Sequence, residues 1–380
     1  MNILVAPNAF KNSLNAQDVA DAIVLGFKQS RLPCTCRTFP VGDGGDGTAA
    51  LIIKHLKGAI INAQVHDALG REITASFGLI DDGHTAVIEL ADASGLRLLN
   101  VNELNPMLAH TGGTGELIKQ ALDKGARKII IGMGGSATVD GGAGILSALG
   151  IRFLNDDGKE LTPGPAELNG LASIDVSGLD RRIPDTEIII LCDVDNKLLG
   201  DEGAAAVFGP QKGASPAEVA QLDTILAKFA AITLQQTAID IAAIKHSGTA
   251  GGAAAGLHAF LNAKLVSGAS YFLELTGFYT ALQNTDLVIT GEGSIDEQTL
   301  QGKAPAAVAS LAKQNKLPVI GLAGRLPLQY SPELHRLFDV LLPIGNEPTD
   351  LTTALQHTHQ NLQRTACEVG NMLALKIVSS

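Results

Sequence analysis

Tryptophan is absent from this chain of 380 residues, and aromatic residues make up only 4% of it. Because proteins commonly bind single-stranded nucleic acid by stacking bases on aromatic side chains, this scarcity argues against such a function. The chain is also poor in positive charge, since 28 Lys and Arg stand against 39 Asp and Glu, for a net charge of −11. No stripe of basic residues is present to follow a phosphate backbone. The sequence therefore predicts no nucleic-acid partner.

Long apolar stretches and targeting signals are missing as well. No apolar run reaches the ~18 residues that a membrane helix needs. The N-terminal sequence MNILVAPNAF lacks the charged and apolar regions of a signal peptide. The four cysteines show neither a CxxC pair nor the spacing of zinc ligands. We therefore expect a soluble, cytoplasmic protein that makes no membrane contact.

Three catalytic signatures are also absent. The sequence contains no G-x-x-x-x-G-K-[ST] phosphate-binding loop, no H-R-D catalytic loop of a protein kinase and no G-x-S-x-G elbow of a serine hydrolase. P-loop NTPases and protein kinases are thereby excluded.

Glycine, in contrast, is abundant, with 42 of the 380 residues, which is about 11% against a usual ~7%. Glycine costs entropy inside helices and strands, so this excess indicates turns and close backbone approaches. Several glycine-rich or acidic loops follow short, nearly continuous apolar runs, which are typical of strands in a parallel sheet buried on both faces. These predicted strands are Ile3–Ala6, Lys128–Gly132, Glu187–Leu191, Asp286–Thr290 and Pro318–Ala323.

Helical patterns separate many of these strands, which predicts an α/β fold. One helix is predicted over Ala16–Phe27, with its N-cap at Ser13 or Asn15. A second is predicted over Gly115–Gly125.

The chain is predicted to form two α/β domains. Residues 1–60 and 285–380, with residues 111–150 assigned to them as well, form a flavodoxin- or Rossmann-like domain with a parallel sheet. Residues 61–110 and 151–284 contain alternating stretches and long loops, and they form a second, inserted α/β domain.

The first candidate loop is Pro7–Ser13, directly after the first predicted strand. Ligands of open parallel sheets bind beyond the carboxyl ends of the strands, so this position favours a site. Lys11 is a lone cation here among small polar side chains and suits a phosphate or carboxylate, although a solvated surface lysine is the alternative.

The second candidate loop, Gly42–Thr48, brings Asp43 and Asp46 close together with almost no side-chain bulk. Such a loop can hold Mg²⁺ or charged ligand atoms. A solvated turn is the alternative.

The third candidate loop, Gly132–Gly142, allows two interpretations. Gly132, Gly134 and Ala137 fit the G-x-G-x-x-G/A dinucleotide fingerprint, with an acidic pair about twenty residues further on. A phosphate cradle of backbone amides and hydroxyl groups fits equally well. Its candidate residues are Gly134, Gly135, Ser136 and Thr138.

Three further regions carry acids or lysines. The predicted loop Thr290–Thr299 contains Glu292 and Asp296, and Lys303 follows it. Asp193 comes at the end of a strand, where an acid beside a substrate cleft is a natural general base. Lys212 lies in a glycine turn.

Taken together, these loops resemble the bacterial type I glycerate kinase family, whose members are similar to glycerate 2-kinase. The resemblance runs from the first strand to about Gly324 and rests on eight blocks in one order. They are Ala6–Lys11, Gly42–Thr48, Gly113–Leu117, Gly132–Asp140, Cys192–Val194, Phe208–Ala214, Thr249–Gly252 and Thr290–Pro305.

The resemblance implies phosphorylation of D-glycerate with ATP and Mg²⁺, in organic-acid catabolism. It implies 2-phosphoglycerate as the usual bacterial product, whereas some enzymes of this name make the 3-phosphate. It also implies an active site in the cleft between a flavodoxin-like domain and a second α/β domain. The oligomeric state, monomer or homodimer, is left open.

The resemblance further implies roles for the loop residues. Asp193 would accept the proton of the glycerate hydroxyl, although Asp296 could exchange places with it, and Lys11 would neutralise charge beside them. Asp43 and Asp46 would hold Mg²⁺. Substrate and phosphate would be bound by Asn8, Ser13, Gly134, Gly135, Ser136, Thr138, Glu292, Lys212 and Lys303.

The chain departs from the family pattern at two of these positions. Family members often carry Asp where Asn8 stands and Glu where Asp46 stands. The first change removes a charge, which weakens the case for Asn8 as a ligand contact.

Two other functions are considered. One is an NAD(P)-dependent dehydrogenase of a small hydroxy acid, using the fingerprint over Gly132–Ala137. The other is a two-lobed small-molecule binding protein.

Overall fold

The structure is a computed structural model of the chain and describes residues 1–192 and 194–375. The described residues form thirteen strands. They are β1 Asn2–Val5, β2 Thr35–Thr38, β3 Ala59–His66, β4 Glu72–Ile80, β5 Thr85–Glu89, β6 Lys128–Gly132, β7 Arg152–Leu154, β8 Ser173–Asp175, β9 Glu187–Cys192, β10 Lys264–Ser267, β11 Leu287–Ser294, β12 Val319–Arg325 and β13 Val340–Pro343.

Fifteen α-helices are present in the same residues, and none of them is both long enough and apolar enough to cross a membrane. They are α1 Ala16–Gln29, α2 Thr48–His55, α3 Ala91–Ser94, α4 Gly112–Asp123, α5 Ala143–Ala148, α6 Pro165–Leu168, α7 Ala204–Phe208, α8 Pro216–Thr237, α9 Ala253–Leu261, α10 Gly268–Leu275, α11 Phe278–Leu282, α12 Ala304–Gln314, α13 Pro332–Leu337, α14 Leu351–Gln356 and α15 Thr358–Leu373.

The first of two compact units consists of Met1–Asp43 and the chain from Ala269 onward. Its described strands pair in parallel in the order β2-β1-β11-β12-β13. Numbered within the unit, this order is 2-1-3-4-5, which is the flavodoxin-like arrangement, and the predicted α/β fold is confirmed. The order reverses between β1 and β11, and ligands of such sheets bind at that reversal.

Helix α1 shows how the local sequence builds this unit. The side chain of Asn15 accepts a hydrogen bond from the backbone N–H of Asp18 at 2.9 Å, so Asn15 is the N-cap. Val19, Ile23 and Phe27 are buried on one face, where each contributes about 1.5–3 kcal/mol. On the same side of α1, a Cβ at Gly26 would lie 2.2 Å from a carbonyl oxygen of α15, so this close helix pair requires glycine.

The second unit is Gly44–Gly268. Its larger sheet has the strand order β10-β9-β6-β5-β4-β3. Strands β5, β6, β9 and β10 pair in parallel, whereas β3, β4 and β5 pair antiparallel. The carboxyl ends of the parallel strands therefore meet at one edge of the sheet. Strands β7 and β8 form a separate antiparallel pair.

The boundaries of the two units differ from the predicted ones. Residues 44–60 and 111–150 belong to the second unit, because α2 packs on β4 and β5 and α4 packs on α5 and β3. Residues 269–284 belong to the first unit. There Phe278 packs against Phe39 with ring centroids 5.1 Å apart.

Candidate active site

In the first unit, polar side chains gather where β1 and β11 end. Asn8 follows β1, and its backbone N–H donates to the carbonyl oxygen of Gly291 at 2.9 Å. The prediction of a loop from Thr290 is wrong at its start, because β11 continues to Ser294. Glu292 is therefore on a strand and in register with Ala323 of β12. This regular pairing fixes the Glu292 backbone at the point where the strand order reverses.

Asn8 connects the end of β1 to the second candidate loop. Its Nδ2 donates a hydrogen bond to Oδ2 of Asp43 at 2.7 Å. Its Oδ1 accepts from the backbone N–H of Ala9 at 2.8 Å. Both ends of the Asn8 amide are thus held, and the Asp43 carboxylate is positioned beside the end of β1.

Glu292 is the most perturbed carboxyl group of this cluster. It is only 8% exposed, and burial raises its pKa to about 7, with a further rise from the charge of Asp43. The charges of Lys303 and Lys11 act in the opposite direction, as does a 3.0 Å hydrogen bond that Thr299 donates to Oε1. A carboxyl group in this environment exchanges a proton near neutral pH.

Asp296, the alternative base, has a structural role in the described chain. It is the N-cap of the 3₁₀ helix Glu297–Gln301, and its Oδ1 accepts from the backbone N–H of Gln298 at 3.0 Å. Its Oδ2 accepts from the hydroxyl of Ser294 at 3.2 Å. Both carboxylate oxygens are therefore engaged locally.

The remaining predicted residues of this unit are placed differently from one another. Lys11 is exposed, and Lys303 is half-buried at the N-cap of α12. Both lie close enough to act electrostatically on Glu292. The hydroxyl of Ser13 instead donates to the carbonyl oxygen of Leu355 at 2.6 Å. Ser13 thus connects its own loop to the backbone of α14 rather than facing this cluster.

In the second unit, the glycine-rich loop after β6 packs against the Gly44 region. The backbone N–H groups of Met133 and Gly134 both donate to the carbonyl oxygen of Gly44 at 3.1 Å. A Cβ at Gly134 would lie 2.5 Å from the backbone nitrogen of Asp46, and Gly135 has a positive φ of 71°. The Gly134 amide is therefore already used within the protein. The helix that a dinucleotide fingerprint should open begins only at Ala143.

Lys212 is brought together with two other predicted phosphate-binding residues. Its Nζ donates to Oγ of Ser136 at 2.8 Å and to the carbonyl oxygen of Thr138 at 2.7 Å. Burial lowers the pKa of Lys212 to about 7, against the opposing charge of Asp140. The buried hydroxyl of Thr138 has no hydrogen-bond partner among the described residues.

Asp46, the second predicted magnesium ligand, is paired with an arginine. The carboxylate of Asp46 accepts from Nη1 of Arg97 at 2.8 Å, and Nη2 of the same guanidinium bonds to Asp92. Asp43 and Asp46 therefore have different partners, although they are only three positions apart in the sequence. No group of three His, Cys, Asp or Glu side chains in the described residues is arranged to hold a metal.

Asp193, the predicted base, lies outside the described residues. Asp140 is buried, and its Oδ2 accepts hydrogen bonds from the N–H and hydroxyl groups of Thr111, both at 2.8 Å. Glu89, at the carboxyl end of β5, is buried and was not predicted as a site residue. The signal that singled out Asp193, an acid at the end of a strand, applies to Glu89 as well.

The comparisons with known proteins agree along the whole chain. The sequence model of the glycerate kinase family matches residues 3–374. The chain belongs to the glycerate kinase family. It is 44% identical to the glycerate kinase of Bacillus subtilis (strain 168), over 99% of this chain and 98% of that protein. It is 42% identical to the glycerate 2-kinase of Escherichia coli (strain K12), with the same coverage of 99% and 98%.

A solved structure supports the same assignment. A crystal structure of a candidate glycerate kinase 2 from Salmonella typhimurium LT2 has a TM-score of 0.81 and 41% sequence identity to this chain. The match covers 98% of both chains.

Membership of the glycerate kinase family makes the protein a kinase, which acts on a small molecule and uses ATP as the phosphate donor. The predicted family is confirmed. The comparisons favour neither the dehydrogenase nor the two-lobed binding protein.

Proposed function

We propose that this enzyme transfers the γ-phosphoryl group of ATP to the 2-hydroxyl of D-glycerate. Family membership and the 42% identity to a protein named glycerate 2-kinase support the substrate and the position of transfer. The product would be 2-phosphoglycerate, within organic-acid catabolism. A cytoplasmic location and a monomeric or homodimeric state stay predictions from the sequence.

The cluster of Asn8, Asp43 and Glu292 carries this proposal. Phosphoryl transfer depends on positioning, on neutralising charge and on a group that accepts the hydroxyl proton. At the switch point of the sheet, the first unit offers two carboxyl groups, an amide and, within electrostatic reach, two lysines. We propose that Lys11 and Lys303 neutralise the charge of phosphate and of the glycerate carboxylate.

Magnesium fits this cluster by the chemistry of its donors. Mg²⁺ prefers oxygen ligands and is usually bound by one or two carboxylates together with substrate phosphates rather than by a complete protein cage. We propose Asp43 as the main carboxylate ligand, because Asp46 is paired with Arg97. When bound, the ion would neutralise phosphate charge, while Asn8 keeps Asp43 in place.

Glu292 is the described carboxyl group best suited to accept the hydroxyl proton. A base works best when its pKa lies near the working pH, and burial raises the pKa of Glu292 to about 7. Thr299 donates to one carboxyl oxygen and so orients the group. Asp193 stays the base that the family resemblance predicts.

The buried group around Lys212 is proposed as a second anion site. Its ammonium group and the Thr138 hydroxyl, which has no partner within residues 1–192 and 194–375, are the kinds of donors that phosphate oxygens accept from. The Ser136 hydroxyl, already bonded to Lys212, would be held in position for the same ligand.

The test is ADP release from ATP and Mg²⁺ in the presence of D-glycerate, L-glycerate or no acceptor. We expect release only with D-glycerate. Phosphorus NMR of the product then names the hydroxyl, because a 2-phosphate couples to one proton and gives a doublet, whereas a 3-phosphate couples to two and gives a triplet. A triplet would overturn the position of transfer, and no release with any acceptor would overturn the kinase.

A further inference from the structure

The second unit contains a cavity of about 500 Å³ beside helix α2. Its walls include the apolar side chains of Ile53, Phe77 and Val87. The volume falls within the ~300–1,000 Å³ that small-molecule sites occupy, and apolar walls with a few polar groups are typical of such sites. The cavity borders the second candidate loop, because Gly47 also lines it.

A buried carboxyl group lines this cavity. Glu89 is only 3% exposed, and its Oε2 accepts a hydrogen bond from the backbone N–H of Ala49, in the first turn of α2, at 2.9 Å. Its Oε1 has no hydrogen-bond partner among the described residues. The absence of a side chain at Gly132 keeps space beside this oxygen, since a Cβ there would lie 3.3 Å from it. Leaving a buried polar atom unpaired costs free energy, and a ligand that donates to Oε1 would remove that cost.

Charged side chains complete the cavity. Lys54, Lys57 and Arg97 line it together with Asp92. Arg97 bonds both Asp92 and Asp46. The lining therefore has three basic side chains against two acidic ones, Asp92 and Glu89. An apolar interior with a net positive set of charges suits a ligand that has a flat base at one end and phosphates at the other.

We propose that this cavity binds the adenine nucleotide, with the base between Ile53, Phe77 and Val87 and its exocyclic amine donating to Oε1 of Glu89. The phosphates would lie toward Lys54, Lys57 and Arg97. The inference rests on the proposed function only in that the kinase uses ATP. Burial raises the pKa of Glu89 to about 8, but its Oε1 accepts a hydrogen bond in either protonation state.

The absence of tryptophan from the chain allows a direct binding test. Ile60 lines the cavity and is 67% exposed, so Ile60→Trp places the chain's one tryptophan at the site with little effect on folding. We expect ADP to change its emission in a saturable way. Tyr279→Trp, at an exposed position of the first unit, is the matched control and should not respond. Emission from Ile60→Trp that does not change under saturating ADP would overturn the proposal.

A second variant blocks the cavity without altering the core. Ala50 lines the cavity from an exposed position on α2. We expect Ala50→Phe to raise the dissociation constant of ADP and the KM for ATP about tenfold or more, which is a loss of at least ~1.4 kcal/mol. The KM for D-glycerate should stay within about twofold, as should both values in the control Ala220→Phe on α8. Unchanged ADP binding in Ala50→Phe would overturn the proposal.

The role of Glu89 is tested with a purine nucleoside diphosphate that lacks the exocyclic amine. We expect it to bind the wild-type protein about tenfold more weakly than ADP, and Glu89→Ala to remove that difference. Equal affinities in the wild type would overturn the contact with Glu89. These outcomes are separate from failure of the proposed function, in which D-glycerate-dependent ADP release would itself be absent from the wild type.

Discussion

The amide of Asn8 donates a 2.7 Å hydrogen bond to the carboxylate of Asp43. An amide at this position supplies a donor, whereas a carboxylate would place two like charges in contact. The Asn8–Asp43 pair is therefore stable without a cation, and a pair of carboxylates would need a cation or a proton between them.

This difference predicts the effect of Asn8→Asp. Without divalent cations, we expect the variant to lose about 1–3 kcal/mol of unfolding free energy, because the hydrogen bond is replaced by repulsion. Mg²⁺ should restore more of the melting temperature in the variant than in the wild type. Thermal unfolding with EDTA and with Mg²⁺ measures both effects, and Asn8→Ala, which loses the bond without adding charge, is the control. An equal response to Mg²⁺ in Asn8→Asp and Asn8→Ala would contradict the prediction.

Glu292 should set the acidic side of the pH profile. Its pKa is raised to about 7, so kcat/KM for glycerate should rise about tenfold per pH unit below pH 7 and level off above it. Glu292→Gln should lower kcat by about 10²–10⁴-fold and remove this limb from the residual activity. Glu297→Gln, an exposed acid nearby, is the control and should keep the wild-type profile. A limb near pH 7 that persists in Glu292→Gln would assign it to another group.

Asp193→Asn tests the base that the family resemblance predicts. If Asp193 rather than Glu292 accepts the hydroxyl proton, turnover will fall by orders of magnitude while ATP binding stays nearly intact, because the substitution removes a proton acceptor and keeps the side-chain shape. Steady-state kinetics and a direct nucleotide titration separate the two effects. Near-normal turnover would reject Asp193 as the base and leave Glu292 as the candidate. Asp201→Asn, at an exposed position, controls for the lost charge.

Lys212 should make the free energy of unfolding depend on pH in the neutral to alkaline range. Its pKa is lowered from 10.5 to about 7 in the folded protein, so between those values the unfolded chain binds a proton that the folded protein does not. Stability then rises with pH over this window, by at most ~1.4 kcal/mol per pH unit. Lys212→Met should flatten the dependence of the melting temperature on pH between 7 and 9.5. Lys228→Met, at an exposed lysine, should not, and a parallel dependence in wild type and Lys212→Met would contradict the assignment.

The sequence predicts strands well where a short apolar run is nearly continuous. Lys128–Gly132 is a strand with the predicted bounds, because its nearly continuous apolar run suits a strand that is buried on both faces. The sequence predicts a loop at Glu292, because its neighbours Gly291 and Gly293 are poor strand residues. Pairing with β12 outweighs that local preference. The two strands approach closely here, since a Cβ at Gly291 would lie 2.1 Å from the Leu322 carbonyl oxygen. Glycine is needed there for the close approach itself.

The partners within the site could be predicted only in part. The position of their loops after strands predicts a site at Asn8, Asp43 and Glu292, and the structure brings these three residues together. The Arg97 guanidinium that pairs with Asp46 was not predicted, because it arrives from a segment 51 positions away that has no motif. Pairing of this kind depends on tertiary packing, which spacing along the chain does not encode.

The position of the second unit within the chain has a consequence for synthesis. Strand β1 pairs with β11 through Ile3 and Leu287, so the central pair of the first sheet joins residues 284 positions apart. During translation, Gly44–Gly268 leaves the ribosome as one continuous segment before β11 exists, and domains generally fold as units as they emerge. Strand β1 then has no β11 to pair with, and its apolar face is uncovered. In nascent chains that end before Leu287, we expect the inserted unit to resist protease while β1 is still cut.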